Sequence, residues 1–322
     1  MNVIARNELK DQRKQMRLQN RRRLRNEIWR YRKLYPLMLF GVLFFAVFSY
    51  APMYGIQLAF KHYKIGQGIT GSEWVGFKNF TILFARAEFW DSIRNTLVIS
   101  FLKLLIAFPV PILLAIGLNE ILSSKLKRSL QVIFTLPHFL SWVTIGGIML
   151  ALFATEGAVN GMLEALGGPQ IKWLSNGMVF RGLIIFTSIW KDAGWSCIIY
   201  MASITGIDPA LYESARIDGA NRLQCAAYIT WPSIKGTAAI LLIMQVGHAM
   251  NGNFDQIFNM YNPTVYNVAD VIDTYIYRIS FLQAADYGLS TAVGLFKGIT
   301  NCILLLTTNY IVGRFNKEAK MI

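Results

Sequence analysis

Six apolar runs constrain this chain more than any other feature, because each is close to the roughly 20 residues a helix needs to cross a bilayer. They lie at about Tyr35–Tyr54, Ser92–Asn119, Leu130–Phe153, Met178–Ile207, Gly236–Met250 and Tyr287–Val312. Within hydrocarbon, a segment must satisfy its backbone N–H and C=O groups internally, so such runs fold as helices. With 54% hydrophobic and only 16% charged residues over 322 positions, little sequence is left for a separate soluble domain. The expected class is therefore all-α: a polytopic membrane protein with about six transmembrane helices. Pro109 and Pro111 should kink the second, and the fifth may run on into less apolar sequence.

Charge sets the expected orientation. Twelve of the 32 Lys and Arg residues precede Tyr35, in a basic tail over residues 1–34 that includes RRRLR at Arg21 to Arg25. The other basic residues are scattered near the ends of apolar runs, a pattern unlike a nucleic-acid-binding surface. The tail is too long for a signal peptide and no A-x-A-like cleavage site follows the first run, so a retained first span is expected. The tail would be a solvated or interfacial segment that touches anionic membrane lipid. By the positive-inside rule, the tail, the loop with Lys125, Lys127 and Arg128, the stretch Asp208–Lys235 and the end with Arg314, Lys317 and Lys320 face the cytoplasm. The outer segments are then Gly55–Asp91, Ala154–Gly177 and Asn251–Asp286. Lys61, Lys64, Lys78 and Arg86 in the first outer segment run against this scheme.

Asp208–Lys235 is polar, lies between two apolar runs and carries its own helix punctuation. Asp208 can cap a helix that begins at Pro209, and Gly219 is the natural left-handed residue past its end. Asn221 can cap a second short helix, which Pro232 should stop. Helices of about ten residues are marginal alone, so this pair needs a surface to pack on. No G-x-x-x-x-G-K-[ST] phosphate loop occurs in the chain; GSEWVGFK at Gly71 has the glycines but places Phe77 before Lys78. No H-E-x-x-H or nucleophile elbow occurs, and His62, His138 and His248 fall in three separate regions. Cys197, Cys225 and Cys302 lack metal or redox spacing and read as small apolar residues. Neither an enzyme nor a metal site is expected.

The stretch resembles the EAA signature of ABC-importer permeases: E-A-A, two residues, D-G, nine residues, then I-x-L-P. Here Glu213-Ser214-Ala215 is followed by Arg216-Ile217, Asp218-Gly219, nine residues and Ile229-Thr230-Trp231-Pro232. Ser214 and Trp231 depart from the pattern. GFKNF at Gly76, LPHFLSW at Leu136, GIDPALYESARIDGA at Gly206 and FDQIFNMYNP at Phe254 extend the likeness. They are similar to permeases of polysaccharide and complex-oligosaccharide importers, those for aldouronates and alginate among them. The resemblance implies a permease domain over 35–322 with a coupling loop at 208–235. It further implies a second permease chain, two cytoplasmic ATPase subunits, an external solute-binding protein and a saccharide cargo, with the whole in the cell inner membrane and both termini cytoplasmic. ATP and magnesium would be used by the ATPases, and this chain would hold no cofactor. Glu213, Ser214, Ala215, Asp218, Gly219 and Pro232 would form the joint with an ATPase groove. Glu213 and Arg216, three residues apart, can meet on one helix face.

Charges inside spans are costly and default to functional roles. Lys103 should lie about 15 Å deep by helical rise; Lys191 and Asp192 fall mid-span, and Lys297 well inside the last run. Adjacent Lys191 and Asp192 project about 100° apart and should pair with other groups. Three readings stay open: Asp192 pairs with a lysine and locks the bundle, the surplus positive charge favours a uronate, or the charges meet the second permease. Trp190, Trp195 and Tyr200 could supply aromatic platforms, and Asn251, Asn253, Asp255 and Gln256 hydroxyl partners along the pathway. Rival readings are a permease for a neutral oligosaccharide, and a secondary transporter that uses Asp192 with Lys191 as an ion site. A glycan-synthesis anchor is a third; it would need catalysis from Asp255, Asp270, Asp273 or Asp286.

Overall fold

The computed structural model describes Met16, residues 29–283 and residues 285–315. Most of the basic tail, with RRRLR, and also Lys317 and Lys320, lie outside the described residues. The chain divides into two compact units, residues 1–57 and 58–322. In the first, α1 (Tyr35–Phe45) continues through a π turn at Ala46–Tyr50 into 3-10 helix from Ala51.

In the second unit, a two-stranded antiparallel hairpin pairs β1 (Lys61–His62) with β2 (Glu73–Trp74), in the register Lys61 to Trp74 and His62 to Glu73. Helix α2 (Lys78–Phe84) follows, pinned by Asn79, whose amide donates to the Ala59 and Lys61 carbonyls at 2.9 and 3.0 Å. Helix α3 (Ala87–Leu102) runs through a π turn at Lys103–Ala107 into α4 (Pro109–Asn119). Pro109 cannot donate to the carbonyl four residues back. The π turn, in which the Phe108 N–H reaches the Lys103 carbonyl at 3.0 Å, lets the helix pass this missing bond.

The third predicted span is not one helix. Residues 124–135 form the amphipathic α5 (Ser124–Thr135), a 3-10 turn covers Leu136–Phe139, and Leu140 is extended. A new helix then starts at α6 (Trp142–Phe153), capped by the Ser141 hydroxyl, and after a turn at residues 154–157 α7 (Ala158–Ala165) follows. Pro137 removes a donor at the turn and Ser141 offers a cap, so the chain breaks where hydropathy alone reads on.

Helix α8 (Gly177–Thr205), 29 residues long, packs against α4 and α5. Beyond it come α9 (Pro209–Ile217) and α10 (Arg222–Cys225), a π turn at Ala226–Thr230 and α11 (Trp231–Gly247). Pro232 does not stop the helix that Asn221 caps. It sits in the first turn of α11, and the π turn before it absorbs the lost backbone bond, so α10 and α11 form one helix over Arg222–Gly247. The short helix expected there is the foot of the fifth span. Then α12 (Phe254–Met260), α13 (Ile272–Tyr277) and α14 (Tyr287–Phe315) complete the unit.

Among the described residues, five helical stretches are long and apolar enough to cross a membrane: Met38–Phe60, Ala87–Asn119, Trp142–Ala165, Arg222–Gly247 and Tyr287–Arg314. The fourth expected span, α8, has the length but carries Arg181, Lys191 and Asp192. Each of these is matched by a protein partner rather than by lipid. Arg181 donates to the Asn95 amide oxygen at 2.8 Å and the Val268 carbonyl at 3.0 Å.

Three apolar clusters form the core. One joins α3, α13 and α14 around Phe89 and Tyr275, a second joins α6, α8 and α12, and a third joins α4, α8 and α11 around Tyr200 and Ile234. Gly194 marks the tightest crossing: a Cβ there would fall well inside van der Waals distance of the Phe134 carbonyl oxygen. Helix α8 therefore lies directly on the backbone of α5.

Candidate functional site: a polar cavity and a coupling corner

A cavity of about 730 Å³ opens between α3–α4, α8 and α11. Each helix shows it one face. Along α8 that face includes Ser188, Asp192, Trp195, Ser196 and Tyr200; along the α3–α4 helix it includes Ser100, Lys103 and Ala107; along α11 and its C-cap it includes Leu241, Gln245 and His248. Steps of three and four predominate, which places each set on one side of its helix. Of the residues expected in the pathway, Lys103, Asp192, Trp195, Tyr200, Asn251 and Asn253 line this cavity. Trp190, Lys191, Asp255, Gln256 and Lys297 do not.

The five that fall elsewhere have other placements. Gln256 is fully buried and acts as a strut, donating to the Ile184 carbonyl at 2.7 Å and the Thr187 hydroxyl at 2.8 Å while accepting from Lys103 Nζ at 2.6 Å. Lys191 is buried and donates to the carbonyls of His138 and Leu140 at 2.7 and 2.5 Å, fixing the break between α5 and α6. Lys297 pairs with Asp273 at 2.5 Å, and Asp273 also accepts from the Gly252 N–H. Asp255 is exposed, and Trp190 stands outside the cavity.

Among the described residues, Asp192 forms no ion pair with a lysine. Its carboxylate meets His138 Nδ1 at 3.0 Å, which corrects the expectation of an Asp–Lys lock. The His138 ring stacks parallel on Trp195, with centroids 4.6 Å apart and planes 5° apart. His138 and His248, in different regions of the sequence, line the same cavity. That convergence has no sequence signal. The Ser188–Asp192–Trp195–Ser196 stripe has one, a helical period of polar groups inside an apolar run.

Asn253 adopts φ 50°, ψ 59°, a left-handed conformation that a short polar side chain tolerates best, where the chain turns from α11 into α12. The four aspartates from 255 to 286 do not form one cluster. Asp270 pairs with Arg278 at 2.7 Å, Asp273 with Lys297, Asp286 caps α14 through the Leu289 N–H, and Asp255 is exposed. Burial pushes the Asp270 carboxyl above the ordinary range, opposed by Thr274 and Arg278.

The second site is the corner at 208–235. The Asp208 carboxylate accepts from the Ala210 N–H at 3.0 Å and Pro209 opens α9. Gly219, at φ +81°, closes it: the Ala220 N–H returns to the Ala215 carbonyl and the Gly219 N–H to Arg216. This Schellman arrangement needs a residue free to take positive φ. Asn221 and Gln224 cap each other reciprocally at the start of α10. A Tyr212–Thr230 hydroxyl contact of 2.9 Å ties α9 to the π turn. Glu213, Ser214, Asp218, Gly219 and Pro232 are exposed and Ala215 is half-buried. Among the described residues, Glu213 makes no ion pair with Arg216. Elsewhere on the corner Ile217 is 86% exposed and Tyr228 79%. Trp231, the departure from the EAA pattern, instead walls an apolar cavity of about 440 Å³ with Pro109, Ile112, Leu113 and Ile116 of α4. It belongs to the foot of the fifth span.

Residues 107–317 match the family described as binding-protein-dependent transport system inner membrane component. The chain is 40% identical over 301 residues to the polygalacturonan/rhamnogalacturonan transport system permease protein YteP of Bacillus subtilis (strain 168), covering 93% of this chain and 94% of that protein. It is 41% identical over 286 residues to Protein LplB of the same organism, covering 88% and 90%. Among solved structures, a chain of a bacterial ABC transporter involved in the import of the acidic polysaccharide alginate superposes with a TM-score of 0.84 at 40% identity, over 91% of this chain and 99% of that one. A chain of the bacterial alginate ABC transporter in complex with an alginate pentasaccharide-bound periplasmic protein gives 0.83 at 40% identity, over 91% and 98%. The likeness runs through the cavity and the corner at 208–235 alike, and it assigns a transport rather than a catalytic role. The chain belongs to the inner-membrane permease components of binding-protein-dependent ABC importers.

Proposed function

We propose that this permease lines the import path of an acidic, uronate-containing oligosaccharide in a transporter that also comprises a second permease, two ATPase subunits and a solute-binding protein. The observation that carries the choice of cargo is Lys103. Lys297 is neutralised by Asp273, and Lys191 is spent on two backbone carbonyls. Lys103 sits at the cavity wall with a neutral amide, Gln256, as its hydrogen-bond partner, while the carboxylate on the same wall, Asp192, is engaged by His138. A cation held in a mostly apolar wall beside an open volume favours an anionic ligand over a neutral one of the same shape. Hydroxyls and amides on the same wall, at Ser188, Ser196, Gln245, Asn251 and Asn253, suit sugar hydroxyls. The relatives named for polygalacturonan and alginate, both acidic polymers, support this reading. The Lys191–Asp192 pair gives little support to an ion-coupled carrier, since both side chains are engaged by protein groups.

The orientation we infer places the corner at 208–235 in the cytoplasm, where Glu213 and Gly219 would meet an ATPase groove. ATP and magnesium would act there, outside this chain. The test of the cargo is the assembled transporter in proteoliposomes, its binding protein saturated with either a uronate tetrasaccharide or the methyl-esterified counterpart. Lys103→Met should slow uronate uptake about tenfold, a loss of roughly 1.4 kcal/mol, and slow the ester far less, with Lys103→Arg retaining most uronate uptake. Equal slowing of both sugars, or none, would refute selection by charge.

A further inference from the structure

We propose that the indole of Trp195 is a sugar-stacking platform in the cavity, braced from behind by His138. The proposal rests on the saccharide reading above but does not depend on the cargo being acidic. His138 lies flat on one face of the indole, with planes 5° apart and centroids 4.6 Å apart. Phe139 meets the indole edge-on, with planes 84° apart. Despite both contacts Trp195 remains 46% exposed and lines the 730 Å³ cavity. With one face taken by the imidazole, the exposure that remains to the indole is on its other face and ring edge.

The brace is itself held at both ends by adjacent residues of α8. Asp192 holds the His138 ring at Nδ1, and Lys191 Nζ donates to the His138 and Leu140 carbonyls. The ring cannot swing on Cα without breaking contacts to one rigid helix, which is the helix that carries Trp195 one turn on. A core tryptophan would be buried and would not need a fixed imidazole behind it. A lipid-facing one would not line a cavity shared with Lys103, Asp192 and His248.

The chemistry fits a pyranose. The C–H face of a sugar ring is apolar and weakly positive, and it packs on the electron-rich face of an indole. The ring's equatorial hydroxyls then point sideways, and Ser188 and Ser196 lie on the same helical stripe as Trp195 to meet them. Stacking of this kind reads the sugar skeleton and ignores the carboxylate. Lys103, on the facing α3–α4 helix, would read the charge.

The same proteoliposome assay tests this with both sugars. Trp195→Phe keeps an aromatic face and should retain uptake within about threefold, while Trp195→Leu, apolar but not planar, should lower uptake of uronate and ester alike by about tenfold. His138→Leu should produce a smaller loss, with nothing further lost in the double variant, and His138→Phe, planar again, should restore uptake. Wild-type uptake by Trp195→Leu, equal loss in Trp195→Phe and Trp195→Leu, or loss confined to the uronate would each overturn the platform. Should Lys103→Met fail to discriminate the two sugars while the Trp195 pattern holds, the acidic cargo is wrong and the platform stands.

Discussion

Glu213→Ala is expected to reduce ATP-driven uptake by the fully assembled transporter at least tenfold while leaving the fold of this chain intact. Glu213 stands in the middle of α9, exposed, with no ion pair to the nearby Arg216. An exposed, unpaired carboxylate contributes little to the stability of its own chain. Any large effect must therefore come from a partner seated over it. Truncating one side of a charge pair buried at an interface costs about 2–5 kcal/mol, which is more than tenfold in the coupled step. The small Ser214 and half-buried Ala215 beside it allow close approach, and the exposed Ile217, one turn on, gives the contact apolar area. Uptake rate and ATPase stimulation, measured on complexes of verified composition, decide the matter. Unchanged uptake would remove Glu213 from the joint.

Gly194→Ala should destabilise the chain by about 3 kcal/mol or more and lower the yield of assembled complex. The sign is the informative part. Alanine in place of glycine within a helix is normally favourable by about 1 kcal/mol. Here the added methyl would press into the Phe134 carbonyl oxygen, a backbone atom that cannot rotate away. Overpacking of this kind costs about 1–3 kcal/mol and more where the backbone must shift. Gly182→Ala, on the same helix and with nothing within 4 Å of the added carbon, is the control and should be neutral or slightly stabilising. Thermal unfolding of the two variants checks the contrast; equal midpoints would mean that α8 and α5 can part at little cost.

What sequence shows and what it hides divides by range. The Asp208 cap, the Pro209 start and the positive φ of Gly219 are properties of three or four adjacent residues, and all are present in the structure. Pro232 reads locally as a stop, yet the helix continues, because a π turn five residues long re-routes the backbone bonds around it. Hydropathy runs through Leu130–Phe153 without a break, whereas the backbone breaks at Pro137 and Ser141, where a polar cap competes with the apolar period. In the cavity, charge alone does not separate a lining residue from a strut. Asp192 opens into the volume and Lys191 turns to two carbonyls, although they are neighbours in the chain. Trp195 faces the cavity and Trp190 does not, a difference fixed by how α8 is rotated against α4 and α5. The meeting of His138 with Trp195, and of Gln256 with Lys103, depends on contacts more than fifty residues apart in sequence, beyond any local pattern.

The central claim is that this chain passes an acidic saccharide under the drive of an ATPase docked at 208–235. Uptake of a radiolabelled uronate tetrasaccharide into proteoliposomes tests it most directly, with the binding protein outside and ATP present or absent inside. The account predicts accumulation that requires both ATP and the loaded binding protein and that exceeds uptake of the methyl-esterified sugar. Accumulation driven by an ion gradient without ATP, or equal uptake of the two sugars, would contradict it.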